Sequence, residues 1–138
     1  MTGEYAHSID AKGRLFIPAK LREELGTVFY VTLSMDECLS AYSSDSWEKF
    51  MEKISVMPYT QQRKMRPLFA HAAKCELDAQ GRILLPQKLR EFAGLTKEVS
   101  IIGSANHAEI WDAEKWAAID AVETTPENIA SVMEELEF

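Results

Sequence analysis

The chain has little with which to do chemistry on a substrate. Among its 138 residues are two cysteines and three histidines, and none of the five falls at the short spacings zinc ligands use. Two cysteines do not make a disulfide framework, so a reducing cytosol is the expected setting. The GxxxxGKS/T loop that cradles phosphates is missing. No run approaches the ~20 apolar residues of a bilayer span. The opening MTGEYAHSID has no basic segment followed by an apolar one, the order of a secretory signal. The expectation is a cytoplasmic protein that is not an enzyme, with no metal, cofactor, membrane partner or small-molecule substrate.

Basic residues are also in deficit, 15 against 22 acids, for a net charge of −7. That balance argues against a nucleic-acid partner, but its distribution is uneven. Glu109 to Phe138 hold nine acids and one lysine, leaving 14 basic and 13 acidic groups over 1–108. Between Lys53 and Glu76 there is no acid, while Arg63, Lys64, Arg66 and Lys74 are all positive. Local potential, not the sum, sets what a surface attracts. A solvated acidic tail accounts for the segregation equally well.

What the sequence does have is a repeat. IDAKGRLFIPAKLRE begins at Ile9 and LDAQGRILLPQKLRE at Leu77, 68 residues later. His7–Gly26 aligns without gaps on Cys75–Gly94, with ten of 20 positions identical. One inserted residue then moves Tyr42 onto Trp111 and Trp47 onto Trp116. Two copies are too few for a solenoid, and each alone is small enough to be marginal. A pseudo-symmetric pair sharing one core is expected, with a first unit at 1–55, a linker helix region at 56–74, a second unit at 75–122 and an acidic C-terminal helix at 123–138.

Within a unit, YAHSI alternates apolar and polar residues as a strand does. DAKG has Asp at the first turn position and Gly at the fourth, as in a type I turn closed by a left-handed glycine. RLFI continues as a strand. Pro18 opens a helix in its first turn, Leu21 and Leu25 share one face, and Gly26 ends it. VFYVTL and CLSAYS read as strands. SDSWEKFMEKI reads as a helix capped by Ser44, Asp45 or Ser46, burying Trp47, Phe50, Met51 and Ile54. The second unit repeats this order with VSII, AEIW and a helix from Asp112. MPYTQQRKMRPLFAHAAK is a helical linker interrupted at Pro67. TTPENIASVMEELEF has an N-cap at Thr125, Pro126 at the first helical position, and a stripe of Ile129, Val132, Met133 and Leu136. That stripe is expected to pack on the chain's own core or, failing that, on a neighbouring subunit.

The phrase DxxGRxxxP resembles the DNA-binding hairpin of the AbrB-like swapped-hairpin superfamily. Two copies, with GEYAHSIDAKGRLFIPAKLREELG, CELDAQGRILLPQKLREFAGL and EIWDAEKW in one chain of this length, resemble the bacterial MraZ family over nearly all residues, least securely after Val122. The resemblance implies an α+β fold of tandem double-split β-α-β units forming one compact protomer. It also implies a ring-shaped homo-oligomer, nucleoid association, and control of a division and cell-wall gene cluster through repeated promoter sites in double-stranded DNA.

The residues themselves permit a DNA role. Lys12 and Arg14 stand at one hairpin tip, Gln80 and Arg82 at the other. Arginine grips guanine or phosphate through a planar fork, lysine supplies a mobile charge, and glutamine pairs with adenine. Gly13 and Gly81 belong to the turns, and Asp10 and Asp78 are read as turn-formers or arginine-orienting groups, since a carboxylate facing phosphate would repel it. The competing reading makes each Asp–Arg pair purely structural, pinning its hairpin. Where Lys12 becomes Gln80, one tip loses a charge, so the first loop is expected to be the stronger. Lys20, Arg22, Lys88 and Arg90 either touch phosphate or form a solvated face, and the Arg63, Lys64, Arg66 cluster has the same two readings. His7 aligns with Cys75 and Cys38 with His107, as tolerated core or edge residues or as a pseudo-symmetric metal site. Asp10 and Asp78 lack the nucleophile or histidine that a hydrolytic pair needs. A second function class stays open: an antitoxin-like or scaffold module that holds a protein partner with its acidic C-terminal helix.

Overall fold

Short strands joined by Asp–Gly turns need a second sheet edge to complete them, and each repeat finds it in the other. The computed structural model describes all 138 residues. The first repeat runs β1 (Glu4–Ser8), β2 (Arg14–Phe16), α1 (Ala19–Leu25), β3 (Val28–Leu33), β4 (Leu39–Ser43) and α2 (Ser44–Ser55). Two short helices follow, α3 (Tyr59–Lys64) and α4 (Arg66–Ala70). The second repeat runs β5 (Ala73–Glu76), β6 (Arg82–Leu84), α5 (Gln87–Phe92), β7 (Glu98–Ser104), β8 (His107–Asp112) and α6 (Ala113–Glu123), and α7 (Pro126–Glu135) comes last. The fold is α+β, with antiparallel sheets.

The main sheet has the order β1-β7-β8-β4-β3-β5. So β1 of the first repeat pairs with β7 of the second, Tyr5 opposite Ile101. Reciprocally, β5 of the second repeat pairs with β3 of the first, Cys75 opposite Phe29. The repeats meet a third time where β2 pairs with β6, Leu15 opposite Ile83. Three residues of strand are too few to hold themselves, so each hairpin depends on the other. One core of 18 buried residues serves both halves, with Leu15, Ile17 and Leu21 beside their counterparts Ile83, Leu85 and Leu89. Full burial of such side chains is worth ~1.5–3 kcal/mol each. No helix is long and apolar enough to cross a membrane.

Local details depart from expectation in four places. Pro18 is the N-cap of α1 and not its first helical residue, with ψ at 140°. The α2 cap is Ser43, one residue earlier than expected, its hydroxyl accepting from the Ser46 N–H at 3.2 Å. In the α2 stripe Trp47 is buried and stacks on Tyr30, but Met51 is 42% exposed. The linker breaks at Met65, and Pro67 sits in the first turn of α4, where its missing N–H does no harm. Helix α4 then folds back, placing Phe69 on Trp47 and the Leu68 carbonyl on the Thr32 hydroxyl.

The larger departure is at the end of the chain. Thr125 caps α7 and Pro126 opens it, as its sequence predicts. Its stripe, however, packs on no core of this chain: Ile129, Val132, Met133 and Leu136 are all exposed. An amphipathic pattern fixes which face is apolar and is silent on what covers it.

Candidate nucleic-acid interface

Each hairpin tip is built by one aspartate. The Asp10 carbonyl accepts from the Gly13 N–H at 3.0 Å, closing the turn. Its carboxylate Oδ1 accepts from the N–H groups of Lys12 at 3.0 Å and Arg14 at 2.9 Å. Its Oδ2 accepts from Arg14 Nε at 2.7 Å. Asp78 repeats all of this with Gly81, Gln80 and Arg82. The Arg14 backbone N–H is the main influence holding the Asp10 carboxyl below its ordinary range, opposed by partial desolvation, and Arg82 acts alike on Asp78. Gly13 and Gly81 have φ of 84° and 79°, in the left-handed region that disfavours a Cβ.

The Asp–Arg pairs that pin the hairpins are therefore present. They occupy only Nε of each arginine: the paired Nη amino groups of Arg14 and Arg82 have no hydrogen-bond acceptor in the chain. A carboxylate that holds the guanidinium by one edge orients the remaining donors; those of Arg14 are unpartnered, while Arg82 also reaches the other tip's carboxylate in a long ion pair. The two tips are neighbours, with Arg82 Nη1 lying 3.9 Å from the Asp10 carboxylate. Lys12, Arg14 and Arg82 line one cleft between them, together with Asp78 and Glu76. Lys12 and Gln80 are exposed, while Arg14 and Arg82 lie half-buried against their carboxylates.

Beneath the tips sits a contact for which the sequence offered no specific role. Arg22 and Arg90 are half-buried and not on a solvated helix face, unlike the exposed Lys20 and Lys88. Each guanidinium lies under the turn of the other repeat: Arg90 Cζ is 3.0 Å from where a Cβ on Gly13 would stand, and Arg22 Nη1 is 2.5 Å from one on Gly81. The two latches differ for a sequence reason. Arg22 rests on the Phe16 ring, 5.2 Å from its centroid, and its buried Nε has no acceptor. Leu84 stands where a second ring would be, and Arg90 instead donates from Nε to the Leu85 carbonyl at 3.1 Å. The signal available in sequence was the identity of Arg22 and Arg90 across copies that differ at Lys12 and Gln80.

The remaining candidates do not gather. Arg63, Lys64 and Arg66 are exposed on α3 and α4. His7 packs on Phe16, and His107 sits between Asn106 and Glu109. No three of the histidine, cysteine and acidic residues form a group that could hold a metal.

Fold and site together define a class: a small α+β protein whose internal repeats present two matching Asp–Arg hairpin tips side by side. Comparison with known proteins gives the family. Residues 1–66 and 68–131 each match the family model described as "MraZ protein, putative antitoxin-like". A protein of Halothermothrix orenii named Transcriptional regulator MraZ is 45% identical, over 97% of this chain and 96% of its own. One of Carboxydothermus hydrogenoformans with the same name is 51% identical, over 83% and 82%. A third, from Caldicellulosiruptor saccharolyticus, is 47% identical over 99% and 98%. The chain belongs to the MraZ family.

Proposed function

We propose that this protein is a sequence-specific DNA-binding transcriptional regulator. Its targets are short repeats in a promoter, that of a division and cell-wall gene cluster, in the nucleoid of a bacterial cytoplasm. The fold is read as two tandem AbrB-like swapped-hairpin units, 1–55 and 75–122, joined through 56–74 and followed by the helix of 123–138. Lys12, Arg14, Gln80 and Arg82 contact the duplex, and Asp10, Gly13, Asp78 and Gly81 shape the tips. The observation that carries this reading is the Nη edge of Arg14 and Arg82, which makes no hydrogen bond within the chain while Asp10 and Asp78 fix the Nε edges, Arg82 Nη1 having only a longer 3.9 Å ion pair to Asp10. A donor fork held in place before binding gives up little freedom on meeting guanine or phosphate.

Copies act together in a ring-shaped homo-oligomer. One protomer offers two tips, which neutralise few phosphates, and repetition converts weak contacts into avidity. The relatives' regulatory names accord with a non-catalytic role.

The test is a fluorescence titration of the DNA upstream of the protein's own gene against a scrambled duplex, beside a thermal melt. Arg14→Ala should stay folded and lose about 1–3 kcal/mol of specific binding for each base contact removed. Arg82→Ala should do the same. Undiminished affinity for both duplexes would remove the tips from the mechanism.

A further inference from the structure

We infer that Arg22 and Arg90 are positioning residues for recognition, each aligning the tip arginine of the opposite repeat from beneath without touching the duplex. The inference rests on the proposed DNA reading and deepens it, by naming what holds Arg14 and Arg82 in register with each other.

The alignment begins in the backbone. The peptide unit joining Gly13 to Arg14 is gripped from both sides. Its N–H donates to Asp10 Oδ1 at 2.9 Å, and its carbonyl accepts from the Leu85 N–H at 2.9 Å. The first grip is local, and the second comes from the other repeat. The unit joining Gly81 to Arg82 is held alike, by Asp78 Oδ1 at 2.9 Å and by the Ile17 N–H at 2.9 Å. Each tip arginine thus starts from a peptide plane that the opposite repeat helps to orient.

The two latches complete these crossed grips. Arg90 donates from Nε to the carbonyl of Leu85, the same residue whose N–H holds Gly13. Its guanidinium then fills the space beside that buried glycine. Arg22 takes the matching place beside Gly81, resting on Phe16 with its Nε unpartnered. Neither arginine belongs to an ion pair of the chain. Half-burying a guanidinium without a carboxylate costs desolvation, which an exposed place on the same short helix would avoid. What the cost secures is a floor under each turn. Two forks that must meet one duplex together need supports holding them to within ~0.5 Å. The latch with the hydrogen bond, Arg90 under the first tip, is the firmer of the two.

The experiment has two arms. Without DNA, nitrogen-15 spectra follow the arginine Nε–H signals. Arg90→Ala should shift or broaden the signal of Arg14 more than that of Arg82, and Arg22→Ala the reverse. With DNA, the upstream and scrambled duplexes are titrated well below each variant's melting temperature, so lost stability alone does not register. Each alanine variant should lose roughly fivefold or more in discrimination, the low end for one base contact. Each should keep its salt slope, which a lost phosphate contact would make shallower by about 0.9. Arg90→Ala should be less than additive with Arg14→Ala and additive with Arg82→Ala, and Arg22→Ala the opposite. Arg90→Lys keeps the charge but not the planar fork, and should not restore discrimination. Should an alanine variant fail to fold, Arg90→Met and Arg22→Met keep the side chain's length for the same comparisons.

Rescue by lysine, or a shallower salt slope, would make these arginines phosphate contacts and overturn the inference. Coupling of Arg22 to Arg14 within one repeat would overturn its crossed form. Undisturbed Arg14 and Arg82 signals with unchanged discrimination would overturn it while leaving the DNA reading intact. A wild type that binds both duplexes alike would overturn the DNA reading, and crossed shifts would then make the latches structural only.

Discussion

Arg90 fills the space beside Gly13: its guanidinium carbon lies 3.0 Å from where a Cβ on that glycine would stand, and the two residues belong to different repeats. The turn glycine thus has two jobs, a left-handed φ and clearance for an arginine from across the interface. The repeats are joined at their tips as well as through their sheets.

Gly13→Ala should therefore destabilise the protein by about 1–3 kcal/mol, as strain in a disfavoured backbone region does, with a further loss from displacing Arg90. Gly26 is the control. Its φ is 83°, but a Cβ there meets only the Val28 carbonyl at 3.9 Å, so Gly26→Ala carries backbone strain alone. Arg90→Ala combined with Gly13→Ala should cost less than the sum of the single changes, a coupling visible in urea melts. Strict additivity would mean that the latch carries no energy.

The turns were legible in sequence because they are local. Asp10, Gly13 and their copies satisfy one another within five residues. The partner of β1 was not legible: β7 begins at Glu98, and nothing in YAHSI says which sheet edge it joins. Arg22 and Arg90 escaped for the same reason. A charged residue on a short helix reads as solvated until the other repeat is seen to lie over it. The α7 stripe fails differently, since periodicity fixed its apolar face correctly and left its partner undetermined.

The carboxylates of the tips predict an acid limit. Asp10 and Asp78 have folded values below the ordinary 3.8, first through the backbone N–H groups of Arg14 and Arg82. A lowered folded value means stability gained by the ionised form, complete above 3.8 and lost as pH falls through the folded value. Asp10→Asn/Asp78→Asn should melt below wild type at pH 7, and the gap should close as pH falls beneath about 4. Melting temperatures of both proteins from pH 7 to 2 measure it. A gap that stays constant across that range would show that the carboxylates' charge is irrelevant to the hairpins.

The two thiols should be unreactive in the native protein. Burial pushes Cys38 up to about 12 and Cys75 up to about 11, so little thiolate is present at pH 8. A chromogenic disulfide reagent should label neither within minutes in buffer and both rapidly in denaturant. Prompt native labelling of Cys75 would mean that the β3–β5 edge opens easily.

Residues 1–66 and 68–131, each matching the family model, should not fold apart. Separation leaves β1 without β7, β5 without β3, and β2 without β6. Either fragment alone should lack a cooperative melt, and an equimolar mixture should regain one. A cooperative transition in a single fragment would require it to pair with a second copy of itself.

The most discriminating change is Arg14→Lys, which keeps the charge and loses the planar fork. If Arg14 reads a base, the variant should keep its affinity for scrambled duplex and lose preference for the specific site by about 1–3 kcal/mol per contact. If Arg14 only neutralises phosphate, both affinities should hold, because lysine serves as a point charge there. Salt separates the cases further. The slope of log affinity against log salt is about −0.9 for each phosphate neutralised, so Arg14→Lys leaves it unchanged while Arg14→Ala makes it shallower. The same titrations on Arg82→Lys then ask whether the second tip, with Gln80 where the first has Lys12, contributes less. Equal losses from the two arginines would show that the lysine-to-glutamine difference has little bearing on recognition.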